Sequence, residues 1–328
     1  MSVGNGPGAA AGRLREGPSL QVMTLKGPDI GASRTLAPEL AAVRAPGLSV
    51  VEIEVCSRCN RRCHYCPVSL NPRPPVPARM SDDVFLSTID QLAGVSFSGR
   101  LSYHLYNEPL LRKDLPRLVA IARSRLPNAL QILNTNGDLL DDSRYHALRQ
   151  AGIDYFYVTR HSAGEYPERP FQIVQSWENL ILTNRGGTVT DVPPPSARAR
   201  RTPCFAPSEM LIVTVTGDVL LCYEDAEREH IMGNLLQTPL TAIWNSEKFR
   251  EYRRRLAAGD RSADAMCLRC SNVSHSRPGL SALEEPVLAA TGLSRSPAAV
   301  PVLQRRSAQA RDIPRPSEAH STTQRGAP

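Results

Sequence analysis

The 328-residue chain lacks any uninterrupted apolar stretch near the eighteen or so residues needed to cross a bilayer, which excludes a transmembrane protein. It lacks a secretory signal as well. The opening MSVGNGPGAAAG has no basic segment leading into an apolar one, so a cytoplasmic location is expected. The chain lacks an internal repeat between its two ends. Aromatic residues are few, at 5%. A concentrated basic surface is missing too. The formal net charge is +7, but residues 1–48 hold five basic and three acidic side chains, and residues 276–328 hold seven and four. Most of the surplus therefore sits at the ends, which argues against a nucleic-acid binder.

What is present is enough apolar residue, 41%, to bury a core. Residues 1–48 and 294–328 are too rich in Gly, Pro, Ser and Arg to offset their chain entropy, and read as disordered. A short helix around Leu280–Ala290 is expected to cap the folded body. Between the tails, strands alternate with helices. Strands are expected at Ser49–Val55, Leu101–Tyr106, Leu130–Leu133, Tyr155–Thr159 and Leu180–Thr183. Helices are expected at Ser81–Leu92 with Ser81 as N-cap, and at Leu115–Arg125, Asp142–Ala151 and Phe171–Asn179. Such alternation gives a mainly parallel sheet, with about five units, too few to close an eight-stranded barrel. The reading is α/β with a partial, open (β/α) barrel over 49–199. A small second domain follows over 200–275, holding a hairpin (Met210–Thr214, Asp218–Cys222) and a helix from Leu240 to Leu256. A largely disordered tail, 276–328, completes the division.

The eight cysteines, in a chain without a signal, read as metal ligands or catalytic thiols rather than disulfides. Four follow the first strand as Cys56-x2-Cys59-x3-Cys63-x2-Cys66-Pro67. A four-thiolate zinc site is one reading, although its pairs would be unusually close. A ferredoxin run is another, but its gaps come in a different order. The triplet Cys59-x3-Cys63-x2-Cys66, with Asn60, Tyr65 and Pro67, resembles the radical S-adenosylmethionine (radical SAM) superfamily. The resemblance implies that three thiolates hold a [4Fe–4S] cluster and leave one iron open to S-adenosylmethionine, whose reductive cleavage gives a hydrogen-abstracting radical. Cys56 is then expected not to be a ligand.

Other residues follow from the same resemblance. Tyr106-Asn107-Glu108-Pro109 stands where the family has G-G-E-P, with both glycines replaced, and Asn134-Thr135-Asn136-Gly137 resembles its T-N-G. The implied cofactor-binding residues are Tyr65, Asn107, Glu108, Thr135 and Asn136. Arg185, expected at the end of the fifth strand, is a candidate for orienting or deprotonating a substrate hydroxyl. Thr159 and His161 are lesser candidates, with His161 read as structural.

A second group, Cys204-x12-Gly217-x4-Cys222 followed by Cys267-x2-Cys270, resembles the SPASM auxiliary-cluster region. No cysteine follows Cys270, which points to the shortened, twitch-type form with one auxiliary [4Fe–4S] cluster. On spacing alone, a structural zinc site remains the alternative. One auxiliary cluster as electron acceptor resembles the radical SAM dehydrogenases of aminocyclitol and aminoglycoside biosynthesis. That implies oxidation of a secondary alcohol on a small polyhydroxylated molecule, with a flavodoxin- or ferredoxin-type electron donor. A maturase of a ribosomally made peptide is the rival enzyme reading. A non-catalytic zinc protein is the rival from another class.

Overall fold

The computed structural model describes residues 45, 47–70, 76–162 and 166–279. The expected helix around Leu280–Ala290 and nearly all of both tails lie outside the described residues.

Among the described residues eight strands form one sheet, and the chain enters at its middle. The first strand, β1 (Val50–Ile53), is buried along its whole length, with β2 on one edge and β6 on the other. The cysteine loop leads into a single turn, α1 (Pro67–Leu70), and then into α2 (Asp82–Gly94). The Ser81 side chain accepts from the Val84 amide, capping α2 as expected, and Val84, Phe85, Ile89 and Leu92 form its buried face. Next come β2 (Arg100–Ser102), α3 (Leu115–Arg125), β3 (Leu130–Thr135), α4 (Asp142–Ala151) and β4 (Tyr155–Arg160). The α4 helix starts on Asp141, which accepts from the Arg144 amide, and stops at Gly152 with φ 122°.

The next segment corrects the sequence reading. Phe171–Asn179 is not a helix. It contains β5 (Gln172–Ser176), paired in parallel with β4, and a 3-10 turn at Trp177–Asn179. The spacing of Phe171, Val174 and Trp177 imitates a helical face. Residues 172–176 instead take the free edge of β4, and their half-buried side chains blur the strand alternation. No strand forms at Leu180–Thr183. Arg185 therefore lies not at a strand end but in a 3-10 turn, Arg185–Gly187. The expected strand Leu101–Tyr106 is also shorter, ending at Ser102, so Tyr106 sits in the loop beyond it.

After α5 (Ala206–Glu209), β6 (Met210–Val213) pairs in parallel with the other edge of β1. It turns through Gly217 into β7 (Asp218–Leu220), the expected hairpin, and β8 (Ile231–Asn234) adds a third antiparallel strand. The resulting order is β5-β4-β3-β2-β1-β6-β7-β8, so one sheet runs through both cysteine-bearing regions. The expected single helix from Leu240 to Leu256 is two helices, α6 (Leu240–Trp244) and α7 (Glu247–Ala257). Ser246 breaks it by capping α7 through the Phe249 amide. The last element is α8 (Ala265–Arg269), capped by Asp264. Among the described residues no helix is long and apolar enough to cross a membrane.

Candidate active site

Parallel sheets carry their chemistry beyond the C-terminal strand ends, and here loops from β1, β2, β3 and β4 meet the Arg185 turn there. They enclose an open cavity of about 330 Å³. Cys59, Cys63 and Cys66 line it, together with Tyr65, Asn107, Glu108, Thr135, Asn136, Thr159, His161 and Arg185. The structure thus brings the triplet and every expected cofactor-binding residue to one place.

The cysteine loop is held by its neighbours rather than by its own secondary structure. Asp138, just past β3, accepts from Asn60 Nδ2 at 2.8 Å and from Arg61 Nε at 2.7 Å, with Arg61 Nη2 completing a fork. Asn136 Nδ2 adds a bond to Asn60 Oδ1 at 2.8 Å. Burial pushes the Cys59 thiol above its usual pKa. Cys59, Cys63 and Cys66 stand on one pinned loop around the same cavity, and a cationic iron–sulfur core there would draw their sulfurs in as thiolate ligands. The residues therefore fit a three-ligand cluster. Cys56 is placed differently. Its Sγ faces the Glu108 carbonyl at 3.3 Å and accepts from Asn107 Nδ2, away from the cavity.

Glu108 is no solvated loop acid. It is 1% exposed, and its carboxylate accepts from the Leu110 amide, the Thr135 hydroxyl and the Asn136 amide at 2.8–3.0 Å. It ties the loop after β2 to the end of β3, and Gly137 completes that turn at φ 79°. A Cβ on Gly137 would stand 2.7 Å from Val158, so glycine is needed there. Asn107 Oδ1 accepts from the Leu105 amide, which rigidifies the same loop. The Tyr65 hydroxyl meets His161 Nδ1, and the Tyr65 ring stacks on Trp177 with centroids 5.5 Å apart. His161 Nδ1 also lies 3.6 Å from Cys63 Sγ.

Across the cavity stands a group that the sequence reading missed in part. Arg185, with a strained φ of 47°, reaches Glu224 Oε1 at 3.4 Å between the rings of Tyr106 and Tyr223. Burial would depress its guanidinium, but Tyr106, Glu224 and Tyr223 outweigh that and hold it above its ordinary pKa. A permanently charged guanidinium orients a hydroxyl; it cannot take its proton. Glu224 is 4% exposed and accepts from Thr183 Oγ1 at 2.9 Å and Asn272 Nδ2 at 2.8 Å. Gly186 lets this turn approach α8, since a Cβ there would sit 2.6 Å from Met266. His104 and Glu52 line the same cavity. Tyr223 and Glu224 follow Cys222 directly in the chain, and that adjacency was the available signal. Nothing local distinguishes His104 or Glu52.

Cys204, Cys222, Cys267 and Cys270 come together behind Tyr223 and line a second, nearly closed cavity of about 20 Å³. Cys222 is pushed well up by burial and then by the neighbouring thiols Cys267, Cys270 and Cys204. Among the described residues no three His, Cys, Asp or Glu side chains group closely enough to hold one metal ion. Four thiols around a cavity suit a multi-iron cluster, whose ligand sulfurs stand farther apart than the roughly 3.8 Å of a tetrahedral zinc site.

Known proteins agree with this geometry. The family model of the radical SAM superfamily matches residues 53–191, and that of the SPASM iron–sulfur cluster-binding domain matches 204–271. The S-adenosyl-L-methionine-dependent 2-deoxy-scyllo-inosamine dehydrogenase of Niallia circulans is 35% identical over 237 residues, covering 69% of this chain and 94% of the relative. The crystal structure of BtrN with AdoMet and 2-DOIA superposes with a TM-score of 0.66 at 33% identity, covering 71% of this chain and 96% of that one. An open conformation of BtrN gives 0.59 at 33% identity, covering 70% and 94%. This chain, with its open parallel sheet and two cysteine-lined cavities, belongs to the radical SAM superfamily; it uses S-adenosylmethionine with an iron–sulfur cluster, and its SPASM region carries an auxiliary one.

Proposed function

We propose that the protein is a dehydrogenase that oxidises a secondary alcohol of a small polyhydroxylated substrate, an aminocyclitol or a sugar-like molecule, to a ketone. The observation that carries this reading is the placement of the pocket. It lies between the two cysteine groups, and Tyr223 lines both cavities. A substrate held there has a hydrogen acceptor on one side and an electron acceptor on the other. The dehydrogenase from Niallia circulans, named for an inosamine substrate, supports the substrate class.

In this reading Cys59, Cys63 and Cys66 hold the catalytic cluster, and Cys204, Cys222, Cys267 and Cys270 the auxiliary one. Tyr65, Asn107, Glu108, Thr135 and Asn136 frame the S-adenosylmethionine site. Bound together, the catalytic cluster and S-adenosylmethionine supply a radical that removes hydrogen from the carbinol carbon. The chain's own groups do the rest. Arg185, fixed by Glu224 and flanked by Tyr106 and Tyr223, orients the hydroxyl. As the second electron leaves for the auxiliary cluster, the hydroxyl proton passes to a base lining the same cavity, for which His104 and Glu52 are the candidates. Tyr223 closes the wall towards the auxiliary cysteines and keeps water from the path. A flavodoxin- or ferredoxin-type carrier supplies the starting electron.

The test is anaerobic turnover with a panel of aminocyclitols and a strong chemical reductant. One ketone per 5′-deoxyadenosine is expected, and Cys63→Ala should make neither. If Cys63→Ala still makes 5′-deoxyadenosine, the assignment of the first site is wrong. If alcohols stay untouched while a peptide is consumed, the substrate class is wrong.

A further inference from the structure

The cysteine loop carries exposed charge that nothing among the described residues neutralises. Cys56 to Leu70 contains Arg58, Arg61 and Arg62 and no acidic residue. Arg61 is spent on Asp138, but Arg58 and Arg62 are exposed and, among the described residues, make no ion pair. A third cation is strapped beside them. Residue 56 pairs with Arg79 in an antiparallel bridge, the Ser57 amide donates to the Ala78 carbonyl at 3.2 Å, and Ser57 Oγ donates to the Pro77 carbonyl at 2.8 Å. Arg79 is exposed and likewise without an ion pair among the described residues. Exposed arginines of α3 behave otherwise: Arg117 pairs with Asp82, and Arg125 with Asp90.

We propose that Arg58, Arg62 and Arg79 form the docking surface for an acidic one-electron carrier protein of the flavodoxin or ferredoxin type. The inference rests on the two-cluster reading above and locates its electron entry. Arg58 adjoins Cys59 in the chain and Arg62 adjoins Cys63, so a partner pressed on these side chains stands one residue from two of the three thiols. The loop is a firm platform: the Glu108 amide donates to the Arg58 carbonyl at 2.9 Å, and the Asp138 fork fixes Arg61. Docking makes no covalent bond. The carrier loses one electron and is oxidised by one, and the cluster beneath the loop is reduced by one. A nucleic-acid strand fits this face less well, because strand binding needs bases to stack on open aromatic rings. The nearby Tyr65 and Trp177 rings are half-buried and stacked on each other.

Complementary charge acts mainly on association and fades with salt. The experiment compares the parent with the triple variant Arg58→Glu, Arg62→Glu, Arg79→Glu, and with the Gln triple as a milder change. Binding of a bacterial flavodoxin is measured by flavin fluorescence at low and high salt. In parallel, 5′-deoxyadenosine is measured with flavodoxin or with dithionite as reductant. Expected are an affinity loss of about tenfold or more at low salt in the Glu triple, a smaller one in the Gln triple, and little difference at high salt. Flavodoxin-driven product should fall in step, while dithionite-driven product stays at the parent level. Equal flavodoxin binding by parent and Glu triple would overturn the proposal. So would a parent that binds a single-stranded oligonucleotide through these residues and flavodoxin without them. If dithionite yields no 5′-deoxyadenosine even in the parent, the reading of the site falls, and the docking face is still judged by the binding measurement.

Discussion

Arg185 is worth asking about first, because its chemistry depends on neighbours far away in sequence. The guanidinium lies between two tyrosine rings and against a buried carboxylate, so its charge is fixed and its direction is set. Arg185→Lys keeps the charge but loses the planar fork. Misplacing the hydroxyl should lower ketone formation on the order of 100-fold, while 5′-deoxyadenosine continues to form. The ketone-to-deoxyadenosine ratio reads this directly, and an unchanged ratio would contradict the orienting role. His104 gives a pH prediction. Burial holds its imidazole below the usual pKa, with Glu52 opposing and Arg100 and Arg185 adding to the effect. The native ring therefore stays neutral where the unfolded ring, near pH 6.5, takes a proton. Stability should be full above about pH 6.5 and fall as the pH drops through that value, until the native ring also protonates. Urea midpoints at pH 7.5 and 5.5 test it: His104→Gln should show a smaller drop, and an equal drop would contradict the assignment.

Elements are tied together by a few buried polar contacts. Glu54, fully buried just after β1, accepts from Arg228 Nη2 at 2.7 Å and from the Val215 amide at 3.0 Å. Arg228 sits between β7 and β8, so this pair fastens the three antiparallel strands to the parallel ones. Arg228→Ala would strand a buried carboxylate and should cost about 3–5 kcal/mol, measured by urea unfolding. A loss below about 1 kcal/mol would mean that water or another group replaces the arginine. Legibility also varies by element. The α2 helix could be read from Ser81, because a cap is a local signal; Asp141 offered the same signal for α4 and was not used in reading it. The β5 strand could not, because its conformation is decided by the edge of β4. The β8 strand, Ile-Met-Gly-Asn, shows no alternation and exists through its pairing with β7. The break between α6 and α7 was readable in principle, since Ser246 with Glu247 after it is an ordinary N-terminal signal.

Across the whole molecule, the two cysteine groups were legible because metal chemistry demands fixed residue types at fixed spacing. Their separation into two cavities meeting at Tyr223 was not, since it depends on contacts such as Thr183 with Glu224 and Asn272 with Glu224, 41 and 48 residues apart. The account's central claim is that the seven cysteines hold two separate clusters on either side of one substrate pocket. Its most direct measurement is iron and acid-labile sulfide per chain after anaerobic reconstitution, alongside a variant with Ala at Cys59, Cys63 and Cys66. The account predicts about eight irons in the parent and about four in the variant. About four in the parent and almost none in the variant would contradict it. The second cysteine group would then hold no iron–sulfur cluster, and the electron acceptor on which the dehydrogenase reading depends would be gone.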